Sequence, residues 1–186
     1  MLESIKQRLG RDDEQGFTLI ELMVVVLIIA ILLAIAIPTF LGARNQANAR
    51  AAQSNLRNAL TSEHAYFTNN QAFGDQTAMP ALEPNLTWAA ADVATRVPSQ
   101  VDVSLQTVGS NTSDAVLLLA YGKDGKCYTI AQLNEAGNAP STATAGTYYN
   151  VNNPTSGVCG FPTVPSAPAT NGGAGSHVGT GWYTGW

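Results

Sequence analysis

Residues 16–24 read Gly16-Phe17-Thr18-Leu19-Ile20-Glu21-Leu22-Met23-Val24, and the chain then runs to Leu41 without another charged residue. Every position from Leu22 to Ile37 is apolar. A helix over residues 17–41 spans about 37 Å, enough to cross a hydrocarbon core of about 30 Å. The segment therefore predicts a membrane helix rather than part of a water-soluble core. Glu21 is its one charge, and an acid in mid-membrane costs about 2.5–3.5 kcal/mol, less near an interface. Such a residue needs a compensating partner.

The stretch before it suggests one. Residues 1–16, MLESIKQRLGRDDEQG, are short, charged and end in glycine, as a processing leader does. Cleavage after Gly16 would make Phe17 the new N-terminus and place an α-amine four residues from Glu21. In a low-dielectric bundle that amine and the Glu21 carboxylate pair far more favourably than either charge stands alone. The pair can form within one chain or between neighbours, and in the second case it sets axial register. Two other readings stay open at this point. Ala34-Ile35-Ala36 satisfies the small-x-small rule of an ordinary secretory signal, with a soluble protein beginning at Ile37. An unprocessed single-span anchor is the other. Charge bias does not orient the span, because Lys6, Arg8 and Arg11 lie on one side and Arg44, Arg50 and Arg57 on the other.

Beyond the span, residues 42–70 form an Ala-rich, proline-free stretch in which Ala52, Leu56, Ala59, Leu60 and Phe67 recur at helical spacing. It reads as an amphipathic continuation with one thin apolar stripe, Arg50, Arg57 and Glu63 taking other faces. Joined to the span it makes a rod of roughly 80 Å. The alternative is two helices broken at Pro38 and Gly42, since a proline kinks a helix at the least. Residues 71–100 hold three prolines and read as a connection with one short helix near Trp88–Thr95. From Val101 the period becomes two, with Val101, Val103 and Leu105 alternating with Asp102, Ser104 and Gln106, as in a half-buried strand. Ala115–Tyr121 is apolar enough for a central strand. Gly122-Lys123-Asp124-Gly125-Lys126 is a hairpin turn, and Cys127–Leu133 returns. Thr147–Val151 is a candidate fourth strand. After Pro162 the chain is Pro-, Gly- and Ser-rich and ends with Trp182, Tyr183 and Trp186, which are expected to pack rather than to stand exposed.

Cys127 and Cys159 are the chain's two cysteines. Lying beyond a hydrophobic segment, they read as one disulfide outside the cytosol, with two unrelated buried thiols as the alternative. A loop of this length restrains the unfolded chain by about 3.5–4 kcal/mol in the chain-entropy treatment.

Gly16 before Phe17-Thr18-Leu19-Ile20-Glu21-Leu22 resembles the type III signal of type IV pilins, pseudopilins and competence pilins, and the match extends over about residues 16–60. The resemblance implies cleavage between Gly16 and Phe17 by a prepilin peptidase and N-methylation of Phe17. It implies an assembly role for Glu21, five residues into the mature chain, and for Pro38, twenty-two residues in. The implied fold is α+β and pilin-like. One long N-terminal helix packs on a small antiparallel sheet head with one disulfide, Cys127–Cys159. The implied divisions are a leader (1–16), a membrane and filament-core helix (17–41), its amphipathic continuation (42–70) and a head with a Gly/Pro-rich tail (71–186). The implied function is that of a type IV pilus subunit serving adhesion, motility or DNA uptake. A minor pilin, a type II secretion pseudopilin and a membrane-anchored binding domain are the alternatives. The implied partners are copies of the same chain, the peptidase, and an assembly platform with its ATPase. The implied location is the cytoplasmic membrane, then a filament on the cell surface. One departure is plain: Asp12, Asp13, Glu14 and Gln15 precede Gly16, where many such leaders place lysine or arginine.

Little in the sequence points to catalysis, and no cofactor is expected. The charged fraction is 12%, against about a quarter in soluble domains. A net charge of −4 argues against a dedicated nucleic-acid binder. His64 and His177 lie far apart, and no Cys/His cluster has metal-ligand spacing.

Overall fold

The computed structural model describes residues 16–90, 99–106, 114–134, 144–155, 158–165, 177–178 and 181–186. Helix α1 (Leu19–Asn70) is one element, and Pro38 lies inside it. The alternative of two helices separated at Pro38 and Gly42 therefore does not hold. The Thr39 hydroxyl, next to the proline, donates to the Ile35 and Ala36 carbonyls at 3.2 and 2.9 Å. In a segment this apolar, a polar group must be satisfied by its own helix. Two compact units divide the chain between Ala43 and Arg44.

In the first unit, Leu22–Leu41 is exposed along its whole length. In the second, Ala52, Leu56 and Ala59 are buried against the sheet, with Leu60 and Phe67 partly buried beside them. The predicted stripe is thus the packing face. Glu63 corrects the reading made from sequence. It was assigned to another face, yet its exposure is 0%. Residues 52, 56, 59 and 63 follow the i, i+4, i+7, i+11 rule, so geometry overrides the preference of a carboxylate for water.

Among the described residues, seven strands follow: β1 (Thr87–Ala90), β2 (Gln100–Gln106), β3 (Ala115–Tyr121), β4 (Cys127–Leu133), β5 (Gly146–Asn152), β6 (His177–Val178) and β7 (Trp182–Tyr183). They form one sheet in the order β1-β2-β3-β4-β5-β7-β6. It is antiparallel except where β1 runs parallel to β2, with Thr87 opposite Gln100 and Ala90 opposite Val103. The head is therefore antiparallel-rich. The short helix expected near Trp88–Thr95 is a strand over its described part, Thr87–Ala90, and its remainder lies outside the described residues. Backbone pairing with β2 outweighs the helix preference that the two alanines of Trp-Ala-Ala supply. The Trp88 indole also donates to the Glu83 carbonyl at 3.0 Å. A 3-10 turn at Met79–Ala81 lies in the connection before β1.

Strand β3 is central, as its composition predicts, and both of its faces are buried. Towards α1, Val101, Val103, Val116, Leu118, Ala120, Tyr128 and Ile130 form the main core. On the other face, Ala115, Leu117, Ala131, Leu133, Tyr148 and Trp182 form a second cluster, covered by Phe161 and Val164. Strand β2 departs from simple alternation, because Gln100 and Asp102 are also buried. The Gln100 amide donates to the Asp102 carboxylate at 2.6 Å. The β3–β4 turn closes with Gly122 N–H donating to the Lys126 carbonyl at 2.8 Å. Gly125 takes φ +88°, a backbone conformation that side-chain-bearing residues rarely adopt.

The aromatic C-terminal segment packs, as expected. Trp182 is fully buried, and its indole donates to the Thr163 carbonyl at 2.9 Å. Trp186 meets Tyr128 and Tyr149 edge-on, with ring centroids 5.4 and 5.1 Å away.

Candidate assembly site

Gly16, Phe17 and Thr18 precede the first turn of α1 in non-helical backbone, and Phe17 is 79% exposed. Glu21 lies in that first turn. One of its carboxylate oxygens, Oε2, accepts from Thr18 N–H at 3.1 Å and from the Thr18 hydroxyl at 2.7 Å. In return, Glu21 N–H donates to Thr18 Oγ1 at 3.2 Å. This reciprocal arrangement is a capping box, which satisfies amide groups that the first turn leaves without partners. An acid there also complements the positive end of the helix dipole.

Thr18 is the partner of Glu21 that the sequence pattern also signals. The signal was available, since Thr18-Leu19-Ile20-Glu21 fits the Ser/Thr-x-x-Glu signature directly ahead of an apolar run. With Gly16 attached, the Phe17 nitrogen is an amide and carries no charge, so Glu21 turns to Thr18. The structure thus brings Glu21 together with Thr18. Pro38 lies seventeen positions further along α1 and does not join that cluster.

The two cysteines are joined, with Cys127–Cys159 Cα atoms 5.6 Å apart. The bond ties the start of β4 to the strip that carries Phe161 and Val164 over the second face of the sheet. Among the described residues, no group of three or more His, Cys, Asp or Glu side chains is placed to hold a metal ion. His64 is exposed on α1.

Among the described residues of the head, Glu63 is the acid whose titration is most strongly perturbed. Burial pushes its carboxyl up to about 7, Gly74 N–H opposes the shift, and the nearby Asp75 charge adds to it. Gly74 N–H donates to Glu63 Oε2 at 2.9 Å, while Oε1 is buried without a partner. This acid fastens the segment after α1 to the helix.

An exposed apolar helix opened by a capping box, leading into an antiparallel-rich and disulfide-bearing sheet, defines a pilin-like chain. Residues 11–37 match the prokaryotic N-terminal methylation motif, which spans the whole candidate site except Pro38. Over 61 residues the chain is 43% identical to the type IV major pilin protein of Myxococcus xanthus, covering 33% of this chain and 28% of that one. Over 83 residues it is 37% identical to the type IV wide pilus major component of Thermus thermophilus, covering 41% and 63%. Over 80 residues it is 36% identical to the type II secretion system core protein G of Escherichia coli, covering 39% and 55%. The chain is therefore homologous to type IV major pilins and to a secretion-system core protein, and spans under two thirds of each relative's length. No solved structure matches it.

Proposed function

We propose that this chain is a structural subunit of a type IV pilus filament. It is inserted in the cytoplasmic membrane as a precursor, cut between Gly16 and Phe17, methylated on Phe17 and polymerised through α1 with copies of itself. The observation that carries this reading is the exposed apolar run from Leu22 to Leu41, directly after the methylation motif. So much apolar surface demands lipid or sister helices. In lipid, and again in a bundle, the surface stays out of water. The hydrophobic effect then changes little on assembly, and side-chain packing and specific polar pairs decide the outcome.

Cleavage supplies such a pair. It converts the Phe17 amide into an ammonium, the natural partner for the Glu21 carboxylate of the same or a neighbouring chain. Thr18 holds Glu21 at the helix start until then. A prepilin peptidase and an assembly platform with its ATPase are the partners this sequence of events requires. Adhesion, motility and DNA uptake are the uses such a filament serves, and no catalytic role is assigned. The similarity to core protein G of a secretion system favours a second reading, a pseudopilin of the same build.

N-terminal sequencing of the mature protein, with identification of the main protein in sheared surface filaments, tests both readings. Methylated phenylalanine at Phe17 and an abundant filament band are expected. A start at Ile37 would overturn the proposal in favour of a secreted soluble protein. Correct processing without surface filaments, in cells that need the chain for secretion, would favour the pseudopilin.

A further inference from the structure

The head unit, which begins at Arg44, carries two surfaces that complement each other in shape and in charge. The first is a cleft of about 280 Å³ lined by Gln53 of α1, Val151 of β5, Tyr183 of β7, and Gly185 and Trp186. Trp186 is braced edge-on by Tyr128 and Tyr149, so the wall it forms is fixed before any partner arrives. Arg50 lies three residues before Gln53 and Arg57 four after it, which puts both arginines on the flank of α1 that faces the cleft. Both are exposed. At helical rise they stand about 10 Å apart along the axis, with Gln53 between them. From Arg44 to Asn70 the helix holds a single acid, Glu63, and that one is buried. The cleft is therefore apolar, with a positive rim on its helix side.

The second surface is a knob in the connection before β1. Pro80, Ala81 and Leu82 are exposed together. Leu82 N–H and Glu83 N–H both donate to the carbonyl of Met79, at 3.0 and 3.1 Å. Met79 is fully buried, so the turn that presents Leu82 is anchored in the core. Glu83 Oε1 accepts from Asn85 N–H at 3.3 Å and from the Asn85 amide at 3.0 Å. Those bonds hold the carboxylate in place without neutralising it. Residues 71–90 carry Asp75 and Glu83 and no lysine or arginine. The knob is therefore apolar with a negative rim.

The two surfaces cannot meet within one head. The knob adjoins β1 at one edge of the sheet, and the cleft lies on β5 and β7 towards the other. Four strand spacings, about 19 Å, separate β1 from β5. One head can thus offer its knob to one neighbour and its cleft to another. Such a contact is head-to-tail and can repeat from copy to copy.

We propose that Leu82 of one head seats in the Val151–Tyr183–Trp186 cleft of a second copy of this chain, with Glu83 facing the arginines on the rim of that cleft. An apolar centre within a charged rim is the usual build of a specific interface, and the opposite charges select the partner and its orientation. This rests on copies of the chain coming together as the filament reading requires, and the test separates the two claims.

The full chain is expressed in its native cells with a benzophenone amino acid in place of Leu82, then illuminated. Dimers are recovered from sheared filaments and from membranes, and the joined peptides are identified by mass spectrometry. The joined site is expected at Val151 or within residues 182–186. Glu83→Arg alone and Arg57→Glu alone should each lower the dimer yield severalfold, because like charges then oppose each other. Combining Glu83→Arg with Arg57→Glu, or with Arg50→Glu, should restore most of it, a recovery that a folding defect would not show. Lys123→Glu, in a groove on the other flank of α1, should leave the yield unchanged. No recovery in either combination overturns the proposal, as does joining to another surface of the head or to a different protein. Filaments without any Leu82-to-cleft dimer overturn the contact and leave the filament reading standing. Cleft-joined dimers in membranes of cells that make no filaments support the contact and overturn the filament reading. Absence of both filaments and dimers overturns both.

Discussion

Replacing Glu63 by glutamine should remove a pH dependence from the stability of the head. In the folded chain the carboxyl is raised from 4.5 to about 7, chiefly by burial. Below about pH 4 the acid is neutral in both folded and unfolded chains and costs nothing extra. As pH rises from 4.5 towards 7, the unfolded chain ionises freely while the folded chain resists. Above about pH 8 both are ionised, and the folded state carries the full burden of a buried carboxylate. A shift from 4.5 to about 7 corresponds to about 3 kcal/mol at 1.36 kcal/mol per unit. Stability is thus highest in acid and is lost as pH rises between roughly 5 and 8.

Glu63→Gln keeps an oxygen to accept from Gly74 N–H, fits the same space and does not titrate. Its absolute stability also reflects the new amide group, which enters where Oε1 has no partner and costs about 1–3 kcal/mol if unsatisfied. The slope against pH is therefore the clean readout. Urea unfolding of the full chain in mild detergent, followed by tryptophan fluorescence, gives the midpoint at each pH. With an m-value of about 2 kcal/mol/M, the wild-type midpoint should fall by about 1.2 M from pH 5 to pH 8 relative to the variant. Parallel pH profiles for the two proteins would refute the reasoning.

Glu21→Ala should leave cleavage after Gly16 largely intact but deplete filaments. Loss of a charge-assisted contact worth about 1.5–3 kcal/mol per subunit lowers the assembly constant by about tenfold or more, and normal filament yield in sheared fractions would count against the register role. Cys127→Ser should lower head stability by about 3.5–4 kcal/mol, from the 32-residue separation of the bridged cysteines. Reductant should reproduce the loss in the wild type and have no effect on the variant. Trp182→Ala empties a fully buried site and should cost about 3–5 kcal/mol. Trp182→Phe should cost less, because it keeps most of the packing while surrendering the bond to Thr163, and thermal melts rank the three proteins.

Much of the fold was legible where one local signal was strong and uncontested. The apolar run, the Ala-rich stripe through Leu56 and the Asp124-Gly125 turn each carry their own period or turn chemistry, and the period of two placed β2 although its polar Asp102 is buried as well. The central place of β3 followed from the apolar character of both its faces. The misreadings arose where a partner remote in sequence decides the conformation. Thr87–Ala90 is a strand because β2 lies beside it, and nothing in Trp-Ala-Ala announces that. Glu63 sat at the right spacing for the buried face but was assigned to water on chemical grounds. Its anchor, Gly74 N–H, lies beyond the helix end. At the assembly site, Gly16, Phe17 and Glu21 stood out because an acid in an apolar run demands an explanation. Attention to a future amine hid the simpler partner three residues away, the Thr18 hydroxyl.

The sheet's second face takes part of its cover from Phe161 and Val164, on the stretch of chain between β5 and β6. The Cys127–Cys159 bond fastens that stretch to the start of β4, and such a bond forms and persists only under oxidising conditions. Reduction is therefore expected to loosen this cover and bare apolar surface on that flank of the head, favouring association of reduced heads.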